Sequence, residues 1–467
     1  MPRKTNPPLP LVAGDSEQGE QNDRLRQIPS MEKLLSSAEM GRVIEEFGRS
    51  LVKEHLASEL SKVRSPNASS SDLTLAALIT NIRPALMALT EGSLRPVING
   101  TGVMIHTNLG RAPVGNGSWE RGGRLVTAYS NLEFDLESGE RGSREGHLSE
   151  LAARLFGCEA ALLTNNNAAA MLLLVSALAR GKELIVSRGE LVEIGGSFRV
   201  PEVIEQGGAR LREVGTTNRT RPDDYLSAVS RRTAALLRVN QSNFEIVGFT
   251  ESPSTDEMIS VARRVKRPLL WDEGSGRVVD LSPYGFRKGT TVRELIAAGV
   301  DAVTCSTDKL LGATQGGLIL GRKEIIEQCR KHPLMRALRG GKESYAVISQ
   351  VLLAFLSSRH EELIPLYQML AAPLDSLRER ADRFHGEMVS TTPIESVLGG
   401  GTTPAETMPS WAITIAGDPD SLASRLRMAE TPVVGRIANG VFAIDMRTVF
   451  PHQDSTVAQI LAQIVGK

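Results

Sequence analysis

Asp301-Ala302-Val303-Thr304-Cys305-Ser306-Thr307-Asp308-Lys309 runs directly into Leu310-Leu311-Gly312-Ala313-Thr314-Gln315-Gly316-Gly317. An apolar strand ends in a polar tip that carries one lysine, and a glycine-rich turn leads into a second strand-like run, Gly317 to Leu320. A lysine amine so placed can form a Schiff base with an aldehyde cofactor, provided its surroundings make the ammonium easier to deprotonate. A solvated loop lysine is the ordinary alternative. The rest of the chain has to decide between them.

Two further elements lie upstream. Leu269-Leu270-Trp271-Asp272 is a buried-looking strand ending in a carboxylate, 37 positions before Lys309, and Glu273-Gly274-Ser275-Gly276 follows it. Pyridoxal phosphate works best as an electron sink when its ring nitrogen is protonated, and an aspartate can supply the counter-charge. Thr164-Asn165-Asn166-Asn167 stands before the strong helix former Ala168-Ala169-Ala170-Met171-Leu172-Leu173-Leu174. Cap residues before such a run mark a helix N-terminus, where unpaired backbone amides favour a phosphate. An ordinary helix cap and a surface acid would look the same singly. Their order, phosphate cradle, strand-end aspartate, then strand-end lysine, is the layout of fold-type I pyridoxal-phosphate enzymes. The expected cofactor-binding set is therefore Lys309, Asp272, Asn166, Asn167, Ala168 and Ser306.

Outward from these elements, strand-like runs at Glu183 to Val186, Thr233 to Val239, Pro268 to Trp271 and Asp301 to Cys305 alternate with helical patterns such as Asn167 to Ala179 and Glu257 to Arg264. That alternation predicts an α/β fold with a mostly parallel, doubly wound sheet over residues 96–345. A Leu-rich helical stretch from Val347 to Leu370 leads into a smaller α/β domain, so that 346–467 forms the third part. There Trp411 to Ile415, Ser421 to Met428 and Val441 to Asp445 read as strand, helix and strand. At the other end, residues 1 to about 28 lack periodicity and read as a mobile arm. Met40, Val43, Ile44, Phe47, Leu51, Leu56 and Leu60 predict one amphipathic helix, Ser65 to Ser71 a loop, and Leu73 to Leu89 a helix broken near Pro84. These make a small helical domain within 1–95.

Composition sets the outer bounds. The 41% hydrophobic and 23% charged content is that of an ordinary globular chain. No apolar stretch approaches the roughly 20 residues that cross a bilayer, and the Pro-rich N-terminus lacks the apolar core of a signal peptide. A cytoplasmic location and no membrane association are expected. Cys158, Cys305 and Cys329 are too few and scattered for a disulfide framework or a metal site. Basic and acidic residues balance at 54 each, so a polyanionic partner must be held by local patches.

Longer motifs sharpen the reading. Ile98-Asn99-Gly100-Thr101-Gly102-Val103, His106-Thr107-Asn108-Leu109-Gly110-Arg111, Tyr129-Ser130-Asn131-Leu132-Glu133, Ser187 to Phe198 and Asp308-Lys309-Leu310-Leu311-Gly312 together resemble the bacterial selenocysteine synthases, the L-seryl-tRNA(Sec) selenium transferases. Ile28-Pro29-Ser30 near the start, and Pro432 to Ile437 with Asp445-Met446-Arg447-Thr448 near the end, extend the resemblance over nearly the whole chain. There are departures: Ser306-Thr307 where the family usually has glycine before the aspartate, Ala313-Thr314 for Gly-Pro, and Glu273 where leucine is more usual.

The resemblance implies a β-replacement on serine esterified to tRNA(Sec), with pyridoxal phosphate on Lys309 and selenium supplied by selenophosphate. Lys309 is then the base for the serine α-proton, and Asp308 either tunes it, assists departure of the hydroxyl, or is a structural loop acid. The selenophosphate anion needs cations, and Arg336 and Arg339, three apart, are expected to share a helical face. Arg111 and Arg144 are the other candidates. Residues 1–100 hold 12 basic and 12 acidic side chains, so tRNA would be recognised by shape and by an arrangement of Arg24, Arg26, Arg42, Arg49, Lys53, Lys62 and Arg64. The family also implies a homo-oligomer, a ring of dimers amounting to a homodecamer. His106 reads as a satisfied structural histidine and Cys305 as a core residue.

Two other readings compete. Relatives sharing the Asp-Lys-Leu-Leu-Gly core include lyases acting on a free amino acid or an amino-sugar acid; the N-terminal helical domain favours the tRNA enzyme. A binding protein that kept the fold and lost catalysis is opposed by the presence of Lys309 and Asp272.

Overall fold

A computed structural model describes residues 30–63, 74–195 and 198–465. The expected arm at 1–28, the expected loop Ser65 to Ser71, and Arg24, Arg26 and Arg64 lie outside the described residues. The chain divides into two compact units, Met1–Pro96 and Val97–Lys467. Among the described residues no helix is long and apolar enough to cross a membrane.

In the first unit the helices are Met31–Leu35, Ala38–Phe47, Arg49–Val63 and Leu75–Glu91. The single amphipathic helix expected over Met40 to Leu60 is two helices, because Gly48 takes φ +83 and ends the first. The break resets the helical phase, so Val52 rather than Leu51 joins Met40, Val43, Phe47, Leu56 and Leu60 in the core. The expected break at Pro84 does not occur. Pro84 lies inside Leu75–Glu91 on the exposed side, and Leu78, Ile82 and Leu86 bury the other face, which offsets the backbone hydrogen bond that proline removes.

The second unit is organised on a seven-stranded sheet: β1 (Ala160–Thr164), β2 (Glu183–Ser187), β3 (Arg210–Val214), β4 (Thr233–Val239), β5 (Leu269–Gly274), β6 (Ala302–Ser306) and β7 (Gly317–Gly321). The spatial order is β1-β7-β6-β5-β4-β2-β3. β7 pairs antiparallel with both β6 and β1, while the pairs β6/β5, β5/β4, β4/β2 and β2/β3 are parallel. Two strands escape the sequence patterns. Ala160-Ala161-Leu162-Leu163 is built from weak strand formers, and Arg210-Leu211-Arg212-Glu213-Val214 is a charged edge strand that leaves Arg210, Arg212 and Glu213 exposed, as edges resisting further pairing do.

Alternation along the strands divides the core. Leu162, Leu184, Val186, Leu237, Leu270, Ala302 and Ile319 share one hydrophobic cluster with the helix Asn167–Ala179. Leu163, Ile185, Leu236, Leu269, Trp271, Val303, Cys305, Leu318 and Leu320 share the other, which includes residues of Gly146–Phe156, Thr255–Val265 and Lys342–Leu356. Helices thus cover both faces, as buried parallel sheets require.

The expected Leu-rich helical stretch is three helices, Lys342–Leu356, His360–Leu363 and Pro365–Ala371. Beyond it lies a five-stranded sheet in the order Arg436–Ala438, Val441–Asp445, Met408–Ile415, Val389–Gly399, Val103–Ile105. Asp445 is fully buried there and accepts from Ser396 Oγ at 2.7 Å and Ser410 Oγ at 2.6 Å. Arg447 donates to the carbonyls of Met369 and Pro409 at 2.7 and 2.6 Å. The Asp445-to-Thr448 motif therefore braces this sheet rather than contributing to the site.

Candidate active site

The site is assembled at the carboxyl ends of the parallel strands, where an open α/β sheet offers its crevice. In the β5/β6 register Thr304 lies beside Asp272, so both side chains leave the same face of the sheet. Thr304 Oγ1 donates to Asp272 Oδ1 at 3.0 Å. Asn167 Nδ2, from the first turn of the helix on that face, donates to the same oxygen at 2.8 Å. Asp272 is 5% exposed. Burial raises its pKa above the usual carboxylate value, and the bonds from Asn167 and Thr304 and the nearby Lys309 oppose the rise.

Lys309 stands three residues beyond β6 and is 6% exposed. Its loop is fixed by backbone bonds, from Leu310 N to Ser275 O at 3.0 Å and from Thr307 N to Gly316 O at 3.0 Å. Burial lowers the Lys309 pKa from the ordinary lysine value; the Asp272 carboxylate pulls it back, and the Arg111 guanidinium adds to the lowering. An amine in this setting gives up its proton more readily than a surface lysine, which Schiff-base chemistry requires.

At the end of β1, Asn166 caps the helix Asn167–Ala179, its Oδ1 accepting from Ala169 N at 2.8 Å. β7 presses on this cap: a Cβ on Gly317 would stand 2.1 Å from Asn166 O, so only glycine fits. Ser306 is buried at the end of β6, and Ala168 is half-buried in the first helical turn. Asn166, Asn167, Ala168, Asp272, Ser306 and Lys309 therefore all belong to elements that end at one edge of the sheet. The Asn167 side chain, expected at the phosphate, is instead directed at Asp272.

The four arginines are placed unequally. Arg111 Nη1 donates to Asp308 Oδ2 at 2.5 Å, one residue from Lys309. Arg144 and Arg339 converge on Glu133: Arg144 Nε donates to Oε1 at 2.9 Å and Arg339 Nη1 to the same oxygen at 3.2 Å. The backbone bond from Asn165 N to Leu338 O at 2.8 Å holds this cluster beside the helix cap. Arg336 is exposed on the four-residue helix Met335–Leu338, and Arg339 is its extended C-cap. The helical face expected for that pair is not formed, because the helix ends where Arg339 bridges Thr164. Glu133 was visible only as part of a longer motif, and Thr304 carried no local signal, since its role comes from the register.

Two smaller expectations also resolve. His106 is not a satisfied histidine: its Nδ1 is buried without a hydrogen-bond partner. Cys305 leaves the opposite face from Asp272 and lies in the core, where burial pushes its thiol well up.

The residues fit pyridoxal phosphate on three counts: a buried lysine with a lowered pKa, a buried carboxylate kept polar by two donors, and a buried Asn167 Oδ1 that has no hydrogen-bond partner. Comparison with known proteins agrees. Residues 97–450 match the family model described as L-seryl-tRNA selenium transferase, and residues 25–64 match selenocysteine synthase N terminal. The L-seryl-tRNA(Sec) selenium transferase of Geobacter sulfurreducens is 43% identical over 456 residues, 94% of this chain and 99% of the relative. That of Caldanaerobacter subterraneus subsp. tengcongensis is 40% identical over 457 residues, 95% and 99% of the two chains. Among solved structures, D-glucosaminate-6-phosphate ammonia-lyase superposes with a TM-score of 0.60 at 23% identity, over 81% of this chain and 98% of that one, a likeness of fold. With the fold-type I architecture, a site suited to pyridoxal phosphate and relatives matching along nearly its whole length, the chain belongs to the L-seryl-tRNA selenium transferase family.

Proposed function

We propose that this protein converts L-seryl-tRNA(Sec) to L-selenocysteinyl-tRNA(Sec), replacing the serine hydroxyl with selenium from selenophosphate. The observation that carries the reading is the buried Lys309 beside Asp272 at the carboxyl edge of the sheet, in a chain of this family. Bound pyridoxal phosphate supplies an electron sink for the charge that develops when the serine Cα–H bond breaks.

The chain's own residues do the rest. Lys309 would carry the cofactor and, as a free amine, would accept the substrate α-proton; burial makes its ammonium easier to deprotonate than that of a surface lysine. Asp272, Asn167 and Thr304 hold a fixed carboxylate for the ring nitrogen, and the helix N-terminus at Asn166, Asn167 and Ala168 holds the phosphate. Ser306 completes that set. Asp308 spends one oxygen on Arg111, while its buried Oδ1 has no hydrogen-bond partner and is the group to assist departure of the hydroxyl. Arg111, Arg144, Arg336 and Arg339 are the ligands for selenophosphate. Arg144 and Arg339, already paired on Glu133, are the best positioned relative to each other.

The helical unit is the tRNA platform in this reading. Arg42, Arg49, Lys53 and Lys62 are exposed on it, with Lys62 paired to Glu59. The enzyme is cytoplasmic and works as a ring of dimers, a homodecamer, on family resemblance. The deciding experiment is the mass of seryl-tRNA(Sec) after incubation with the holoenzyme and selenophosphate. A gain equal to replacement of hydroxyl by selenol is expected. An unchanged mass, together with ammonia released from a free amino acid, would favour a lyase instead.

A further inference from the structure

Arg277 closes the run Glu273-Gly274-Ser275-Gly276-Arg277 that follows Asp272. Its side chain is buried, the residue being 8% exposed, and Nη1 has no hydrogen-bond partner. The guanidinium lies against Gly289: a Cβ there would stand 2.4 Å from Nη1 and 2.7 Å from the guanidinium carbon. A glycine at 289 is what makes room for it. Both residues line a cavity of about 260 Å³ whose wall also includes Asn240, Ser242, Ser275 and Thr402.

One acid shares that wall. Glu273 Oε1 accepts from Ser275 Oγ and Oε2 accepts from Gly276 N at 2.6 Å; burial raises the Glu273 pKa, and those two bonds and the charge of Arg277 oppose the rise without a direct bond between the two side chains. Among the described residues Arg277 forms no ion pair. A purely structural guanidinium would be expected to spend its donors, because an idle buried donor costs stability. An idle cation in a cavity lined by hydroxyl and amide groups is instead the chemistry of an oxyanion site.

We propose that the Arg277 cavity is an oxyanion subsite that takes a phosphate-type group of a substrate. It lies on the working edge of the sheet: Ser275, part of its wall, accepts the backbone bond from Leu310 next to Lys309. None of Arg111, Arg144, Arg336 or Arg339 lines it. The proposal rests on the functional reading above, which brings two sources of such a group, a phosphodiester near the 3′ end of the aminoacylated RNA and a free phosphate-type selenium donor.

The test uses full-length holoenzyme and Arg277→Met, titrated calorimetrically with inorganic phosphate and, separately, with a short single-stranded RNA bearing a free 3′ end. Removing a charge-assisted bond should weaken at least one probe by roughly tenfold or more. The thermal midpoint without ligand should hold or rise, since an unsatisfied buried donor is gone. A loss confined to the RNA assigns the phosphodiester, and a loss for phosphate assigns the small donor. Unchanged affinity for both probes overturns the proposal whatever the midpoint does. If Arg277→Met fails to fold, Arg277→Lys and Gly289→Ala decide the matter. The first keeps charge without the fork, the second crowds an unaltered guanidinium, and wild-type affinity in both overturns the subsite. Failure of the functional reading shows separately, as absent selenium transfer by the wild type while the Arg277 effect on binding persists.

Discussion

Replacing Thr304 by valine tests the electrostatic core of the site with one atom changed. Thr304 is fully buried, and its Oγ1 donates at 3.0 Å to the Asp272 oxygen that also accepts from Asn167. Valine keeps the shape and the β-branching, so the strand register should survive. A hydrogen bond to a charged group contributes about 1.5 to 3 kcal/mol, and about 1.4 kcal/mol is tenfold in affinity. If that bond keeps Asp272 ionised for the cofactor, Thr304→Val should weaken pyridoxal phosphate binding roughly tenfold to a hundredfold. The sign of the pH dependence follows. Asp272 is already raised by burial and the Thr304 bond opposes the rise. A carboxylate's contribution is present above its pKa and lost as pH falls through it, so the loss should begin at a higher pH in the variant. Cofactor affinity, measured by visible absorbance from acid to mildly alkaline pH in both proteins, is the assay. Superimposable profiles would refute the idea that Thr304 acts through Asp272.

Other expectations concern single groups. Lys309→Ala should abolish both the visible cofactor band and turnover, and a borohydride-reducible adduct surviving in that variant would move the attachment point elsewhere. Arg339→Gln should impair use of selenophosphate more than Arg336→Gln, because Arg339 shares Glu133 with Arg144 whereas Arg336 is exposed and exposed charges contribute little; equal losses would contradict that ranking of the two ligands. Removing Met1–Pro96 should leave cofactor binding intact, since every cofactor residue lies in Val97–Lys467, and undiminished tRNA affinity would take the helical unit out of recognition. Burial pushes the Cys158 thiol up to about 11 and Cys329 to about 12. Since the thiolate is the reacting form and is lost below the pKa, neither should alkylate in the native protein near pH 8, and rapid native labelling would contradict their burial.

What could be read along the chain was what local periodicity encodes. The alternation of strands and helices, the cap at Asn166, the carboxylate two residues before the end of β5 and the lysine beyond β6 each depend on neighbours a few residues away, so their order pointed to the fold and the cofactor. Local patterns failed where a single backbone angle intervened, as at Gly48, where φ +83 splits a continuous hydrophobic stripe, and where a strand lacked apolar alternation, as at Arg210–Val214. The convergence of side chains was decided by tertiary structure alone. Asn167 reaches Asp272 across 105 positions because the helix packs on the face that Asp272 shares with Thr304. Arg339 meets Glu133 across 206 positions because its helix stops at the end of β1. Arg277 and Gly289 line one cavity with Trp271 and Glu273 of β5 and with Asn240 and Thr402 from distant parts of the chain. Sheet register selects which of every two side chains faces the site, and no spacing in one dimension carries that choice.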